Sequence, residues 1–594
     1  MPEILLPFKL PDQKKKADHC NILSLLSKPV QEVVQKNPHL LEYMEMLPID
    51  DYGMPKFHEK LDRSMGSNTN PNLIYPVKDG VFTHILYDRG DGRNTYVPIE
   101  PVLLDDMDKL MLEVEKRLLL MSDRLGDFSI KTMEEKKLAF LECVNEICVI
   151  KGHTPAYGQR RDGSGRNGKG KGNGNGKYSL PFLDKLSFNS QIKPLEVTPR
   201  QLNSIKYLLV RDKVGLGVLD PICYDTYVED VSCSGMGVIY LEHKIFKSLK
   251  TVVNFVTSED LDQFVMRLAE RIKKPVSVHS PIVDATLTDG SRINIVYGTD
   301  VSKRGSNFTI RKFADTPPSI LELVDWGTLD YRMAAYLSIT IGEGMNMFVC
   351  GETASGKTTT LNAVTTFIHP NAKIVSIEDT PELQVPHQNW IREVTSGKEG
   401  SEASVTMFDL LKAALRQRPN EIIIGEIRGA EGAIAFQAMQ TGHSCMATFH
   451  AASVERLLQR LTGNPINIPK TYMDNLNLAV FQNAVKLTNG KVGRRMTSIN
   501  EIVGYDPVTQ SFSFVEVFKW DPVTDVFHFT GDSNSYLLEQ KIAPKLGIPP
   551  HKKRRIYNEV DRRARILEKL NQQGVKNFYD LLKVLAKAQR DGLF

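Results

Sequence analysis

Residues 351–358 read GETASGKT, a loop bounded by glycines and ending in a lysine and a threonine. That spacing suits the capture of a nucleotide polyphosphate. Glycines at 351 and 356 let backbone N–H groups curl around phosphate oxygens. The helix turn that should follow offers unpaired donors and the positive end of its dipole. On this reading Gly351, Glu352, Thr353, Ala354, Ser355, Gly356, Lys357, Thr358 and Thr359 form the cradle. Lys357 is expected to bridge the β- and γ-phosphates and the Thr358 hydroxyl to ligate Mg2+. The expected ligands are therefore ATP and Mg2+, and the expected chemistry is hydrolysis.

Three further groups of residues suit the same chemistry. Ile422, Ile423 and Ile424 read as a buried strand that ends in Gly425 and Glu426, and a carboxylate there can hold Mg2+ through its water shell. The stretch IVSIEDTPEL at 374–383 is a second apolar strand ending in Glu378 and Asp379, with Glu382 beyond. In a neighbouring parallel strand these acids reach the carboxyl edge of the sheet, where α/β folds bind ligands. Glu378 is the candidate for orienting the attacking water; capping the turn that follows is its alternative use. In TGHSCMATFHA, His443 and His450 flank a short strand. His450 is placed with the nucleotide-binding residues, although each ring also suits a hydrogen-bonded interior position. No metal is expected between them, because the strand separates the rings and no third ligand is near.

These residues need a scaffold, and the pattern around them supplies one. MNMFVC, KTTTLNAVTTF, KIVSIED, FDLLKAALRQR, EIIIGE and CMATFHA alternate strand and helix, which predicts parallel strands joined by crossover helices. The fold class read here is α/β: a phosphate-loop domain with a parallel sheet at 331–497, preceded by a smaller α/β domain at 179–314 and an N-terminal mixed domain at 1–155. A hinge is expected over 315–330, because DTPPS breaks any regular element. A C-terminal region of strands and helices, 498–594, carries two DPVT turn signals. Between the first two domains, 156–178 is rich in glycine and basic residues, lacks bulky apolar side chains and reads as a flexible linker.

Bulk properties narrow the partners. The 594 residues require several domains, and a formal charge of +4 is small for that length, so no direct nucleic-acid partner is expected. No run approaches 18 apolar residues, so the expected location is cytoplasmic, with any attachment to the inner face of the membrane made through partners. Seven scattered cysteines without a CxxC read as reduced structural thiols.

In order, the phosphate loop, IVSIEDTPEL, LRQRPNEIIIGEIRG and TGHSCMATFHA resemble the Walker A, Asp box, Walker B and His box of the secretion ATPase superfamily. The likeness runs from about Leu183 to Trp520. YPV with YVPIEP, LRQRPNEIIIGE and FKWDP look like its archaeal branch, which includes archaellum motors and type IV pilus assembly ATPases. No cysteine follows Cys445 to build the four-cysteine zinc insertion of bacterial assembly ATPases. The resemblance implies a RecA-like motor, a homohexameric ring, a polytopic membrane platform protein as partner, and indirect action on pilin-like or archaellin subunits. It also implies that Arg292 and Arg311 approach the γ-phosphate, where surface salt bridges are their alternative role; Arg416, Arg418 and Arg428 match family positions as well. Two other functions suit parts of this pattern: a nucleic-acid translocase, and a nucleotide-locked scaffold of a secretion platform.

Overall fold

The computed structural model describes residues 2–8, 22, 26–62, 65–66, 68–102, 107–121, 132–151, 193–313, 316–396, 404–488, 490 and 492–594. The expected linker at 156–178 lies outside the described residues. The chain divides into two compact units, Met1–Lys312 and Phe313–Phe594.

In the first unit, strands from both expected N-terminal domains share one sheet. Its order is Ile282–Thr286, Arg292–Val296, Asn307–Arg311, Val228–Cys233, Gly237–His243, Lys247–Phe255, Arg93–Ile99, Val81–Asp88, Asn72–Lys78 and Lys56–Phe57, with Glu3–Ile4 added beside Lys247–Phe255. The join is parallel, Lys250 opposite Thr95 and Thr251 opposite Tyr96. A division near 155–179 therefore does not separate two sheets. The reason is visible at the seam. The hydroxyls of Tyr75 and Tyr96 both donate to the buried Asp225 carboxylate, at 2.6 and 2.9 Å, so the earlier strands satisfy a charge carried by the later segment.

The second unit holds the phosphate loop. Its strands are β1 (Met347–Cys350), β2 (Ile374–Glu378), β3 (Trp390–Val394), β4 (Glu421–Ile427), β5 (Ser444–Phe449), β6 (Leu478–Lys486), β7 (Val492–Asp506), β8 (Ser511–Asp521) and β9 (Val526–His528). They form one sheet in the order β3-β2-β4-β5-β1-β6-β7-β8-β9. Strands β1 to β6 pair in parallel, and β7 to β9 add antiparallel hairpins. The central parallel strands β1, β2, β4 and β5 are buried on both faces, which explains uninterrupted apolar runs such as Ile422, Ile423 and Ile424. One face packs with Leu361, Val364 and Leu337, the other with Leu411, Phe436 and Leu457. This is the RecA-like α/β arrangement implied by the motif order.

Local signals set the helix boundaries. Thr406 caps Met407–Arg416 and Ser319 caps Ile320–Asp325, each in a reciprocal box with the acid three residues on. Thus 315–330, expected as a hinge, contains a capped helix after its prolines. The expected boundary at 497/498 falls inside β7. Ile499, Ile502, Val517 and Phe518 are buried in the motor core, and the two DPVT sequences form the tight turns of its antiparallel hairpins. Helices Ile556–Gln572 and Phe578–Arg590 pack on the same core through Leu567, Leu581 and Leu585, so the C-terminal region completes the second unit. Among the described residues, no helix is long and apolar enough to cross a membrane, and the cysteines at 143, 148, 223, 233, 350 and 445 are free thiols.

Candidate functional site

The loop begins where β1 ends and closes as the helix Lys357–Val364 starts. Gly351 sits so close to β6 that a Cβ would lie 2.1 Å from the Gln482 carbonyl oxygen. Gly356 caps the helix with φ +94°, a left-handed conformation in which glycine avoids the cost of a side chain. Ala354 adopts φ +61° without that freedom, a strained position at the tip. Glu352, Thr353 and Ala354 are exposed, Thr358 and Thr359 half-buried, and Ser355 and Lys357 buried.

Convergent groups line this cradle. Lys357 Nζ donates to the Gly351 and Glu352 carbonyls at 3.2 and 2.9 Å, folding its charge back over the loop. Burial lowers its pKa, and the nearby Glu426 carboxylate opposes that shift. Ser355 Oγ is buried without a hydrogen-bond partner. An orphaned hydroxyl, a buried ammonium and a helix start aimed into one glycine-bounded loop fit a polyphosphate, with Thr358 and Glu426 available as oxygen donors for magnesium. No group of three or more His, Cys, Asp or Glu able to hold a metal by itself occurs among the described residues.

The parallel register carries the other candidates to the same edge. Cys350 is opposite Phe449, and Phe449 opposite Ile427, so β1, β5 and β4 end together, with Glu378 closing the neighbouring β2. A bulge between Ile424 and Ile427 breaks the ladder around Gly425 and Glu426. One Glu426 oxygen lies 2.8 Å from His450 Nε2, and the other accepts from the Arg428 guanidinium. Burial lowers the His450 pKa; Lys357 also lowers it, Glu426 opposes, and Arg428 and Arg460 add to the lowering, so the ring is neutral at neutral pH.

Glu378 is 1% exposed, and its Cγ would lie 3.2 Å from a Cβ at Gly425. Its Oε1 accepts from the backbone N–H groups of Glu382 and Leu383, both at 2.7 Å, while Oε2 faces Arg392 Nε at 3.4 Å. Burial raises its pKa, opposed by those amides and the guanidinium. The carboxylate therefore does cap the following turn, and it keeps one oxygen toward Arg392. Asp379 accepts from Thr395 at the same edge, whereas His443 is at the opposite end of β5 beside Thr441.

Arg292 and Arg311 belong to the other unit, where they are cross-strand neighbours. Arg292 makes a two-point contact with Asp284 at 3.1 and 3.2 Å, and Arg311 is paired in register with Asp230. Both are exposed, as are Arg416 and Arg418.

Gln482 is a site residue that the motifs did not single out. On β6 and 2% exposed, it donates from Nε2 to the Ser355 carbonyl at 2.9 Å and accepts from the Thr360 hydroxyl. Arg494 on β7 adds a 3.2 Å bond to the Ala354 carbonyl. Two adjacent polar residues, Gln482 and Asn483, inside the otherwise apolar run LAVFQNAV were the available signal.

Residues 222–487 match the family model described as Type II/IV secretion system protein. Over 566 residues the chain is 41% identical to Uncharacterized protein MJ0900 of Methanocaldococcus jannaschii, covering 95% of this chain and 97% of that one. It is 33% identical to the Type IV secretion system protein PtlH of Bordetella pertussis, covering 35% of this chain and 68% of that protein. Among solved structures, the VirB11 ATPase from the Brucella suis type IV secretion system shares 22% identity with a TM-score of 0.25, covering 48% of this chain and 91% of that one.

Proposed function

Because the chain belongs to the type II/IV secretion system protein family, a family of secretion ATPases, we propose that it binds ATP with Mg2+ at residues 351–359 and couples hydrolysis to work on a membrane-bound secretion or pilus machine. The observation that carries this reading is the meeting of the phosphate loop, Glu378, Glu426 and His450 at the carboxyl edge of one parallel sheet.

Each side chain has a task on this reading. Lys357 exchanges the loop carbonyls for the β- and γ-phosphates. Ser355 Oγ and the first N–H groups of the helix donate to phosphate oxygens. Thr358 directly, and Glu426 through water, would hold magnesium, which would supply positive charge beside those oxygens. Neutral His450 donates from Nε2 to Glu426 and fixes that carboxylate. Glu378, held by two backbone amides, orients the attacking water.

The finer assignment is a homohexamer in which Arg292 and Arg311 approach the γ-phosphate. Its work is done on a polytopic platform protein that inserts or extrudes pilin-like or archaellin subunits at the inner face of the membrane. The exposure of both arginines supports this assignment. Lys357→Ala tests the core of the proposal. Phosphate release should fall at least about a hundredfold while circular dichroism and the unfolding transition keep their wild-type form; full turnover by a folded variant would refute the site.

A further inference from the structure

We propose that Arg392 is a positioning residue that links Phe313, the first residue of the motor unit, to the site acid Glu378; this rests on the reading of Glu378 given above. Both Glu378 and Arg392 lie at even positions on adjacent parallel strands, with Ser376 opposite Arg392. They therefore share a face of the sheet, offset by one side-chain step along it. Since Oε1 of Glu378 is already committed to two backbone amides, Oε2 is the oxygen left to accept from a water. Arg392 Nε meets that atom at 3.4 Å.

Two aromatic rings hold the guanidinium in turn. Its central carbon lies 5.7 Å from the Phe313 ring centre and 5.4 Å from that of Trp390. Trp390 is fixed, because its indole N–H donates to Ser376 at 2.8 Å and its ring packs on the motor core. Phe313 directly follows Lys312, where the first unit ends. A displacement of the chain at Phe313 thus changes one ring against the guanidinium, and the guanidinium is the side chain that meets Oε2 of Glu378. A planar cation suits this task better than a lysine, because it can stack on rings and donate in its plane at once.

The test is steady-state phosphate release by the full chain, with kcat and KM resolved and nucleotide-binding sites counted by fluorescent ATP analogue. Arg392→Gln should lower kcat per site about tenfold or more with KM within about twofold. Phe313→Ala should act in the same direction but less. The Glu378→Gln/Arg392→Gln double variant should be no slower than Glu378→Gln alone. Methylguanidine should restore part of the rate to Arg392→Ala, and Arg392→Lys should recover less than the wild-type rate. If Glu378→Gln abolishes turnover while Arg392→Gln leaves kcat unchanged, the positioning role falls and the reading of Glu378 stands. If Glu378→Gln turns over normally, both fall. A drop in site number with kcat per site unchanged would mark Arg392 as a folding residue and overturn the proposal.

Discussion

Replacing Gln482 with leucine removes the amide that joins the phosphate loop to β6 while roughly preserving side-chain volume. The Thr360 hydroxyl and the Ser355 carbonyl then lose their partner, in residues that are each 1% exposed. A buried polar group left unpaired costs about 1–3 kcal/mol, so the pair costs about 2–6 kcal/mol unless the loop opens to water. Opening relieves the penalty but spends the preformed cradle. A loss of about 2 kcal/mol in loop preorganisation weakens nucleotide binding about thirtyfold. Urea unfolding gives the stability, and titration with a fluorescent ATP analogue gives the affinity; the variant should lose in one or both. Stability within about 0.5 kcal/mol of wild type together with unchanged affinity would show that Gln482 does not brace the loop.

Glu378→Gln should retain nucleotide but hydrolyse it slowly, and an unchanged single-turnover rate would remove the water-positioning role. His450→Ala takes away a hydrogen bond to a charged group worth about 1.5–3 kcal/mol, so kcat should fall about tenfold to a hundredfold, and a wild-type rate would show that Glu426 needs no such support. Burial raises the Glu421 carboxyl well above its ordinary 4.5, and its Oε1 has no hydrogen-bond partner. The folded chain therefore keeps a proton that the unfolded chain releases above pH 4.5, and wild-type stability falls as pH rises past that point until the folded group ionises. Glu421→Gln lacks this slope, so in urea unfolding it should gain steadily on wild type as pH rises above 4.5; a stability difference independent of pH would contradict the assignment.

Strands β1, β2, β4 and β5 were legible because they are buried on both faces and the helices between them carry their own caps, as Thr406 and Asp409 do, whereas the partly exposed β3 and the later β6 were not read. Glu426 and His450 were legible as strand-end residues, and the register sets them 2.8 Å apart. What the sequence concealed were partnerships across long separations. The tyrosines at 75 and 96 gave no hint that their acceptor lies at 225, and those bonds tie together the two expected N-terminal domains, whose strands join in one sheet at Lys250 and Thr95. The two DPVT turn signals marked breaks in the C-terminal region without stating which edge its strands join, so a boundary placed at residue 497 cut a strand. Gln482 shows the same difficulty at the site, since its role depends on a contact with Thr360 at a sequence separation of 122.

That separation bears on how the molecule is made. A nascent chain emerging at about 5–20 residues per second presents the glycine-rich loop many seconds before β6 and its glutamine leave the ribosome. Until then β1 has an open side, and the loop lacks both its amide clamp and the arginine on β7. Nucleotide should consequently not engage the growing polypeptide; competence arrives late, in one step, when the sixth strand docks. Ribosome-stalled chains ending near residue 470 should carry every residue of the loop motif and still fail to retain ATP, whereas chains with the whole β7 hairpin outside the exit tunnel should hold it.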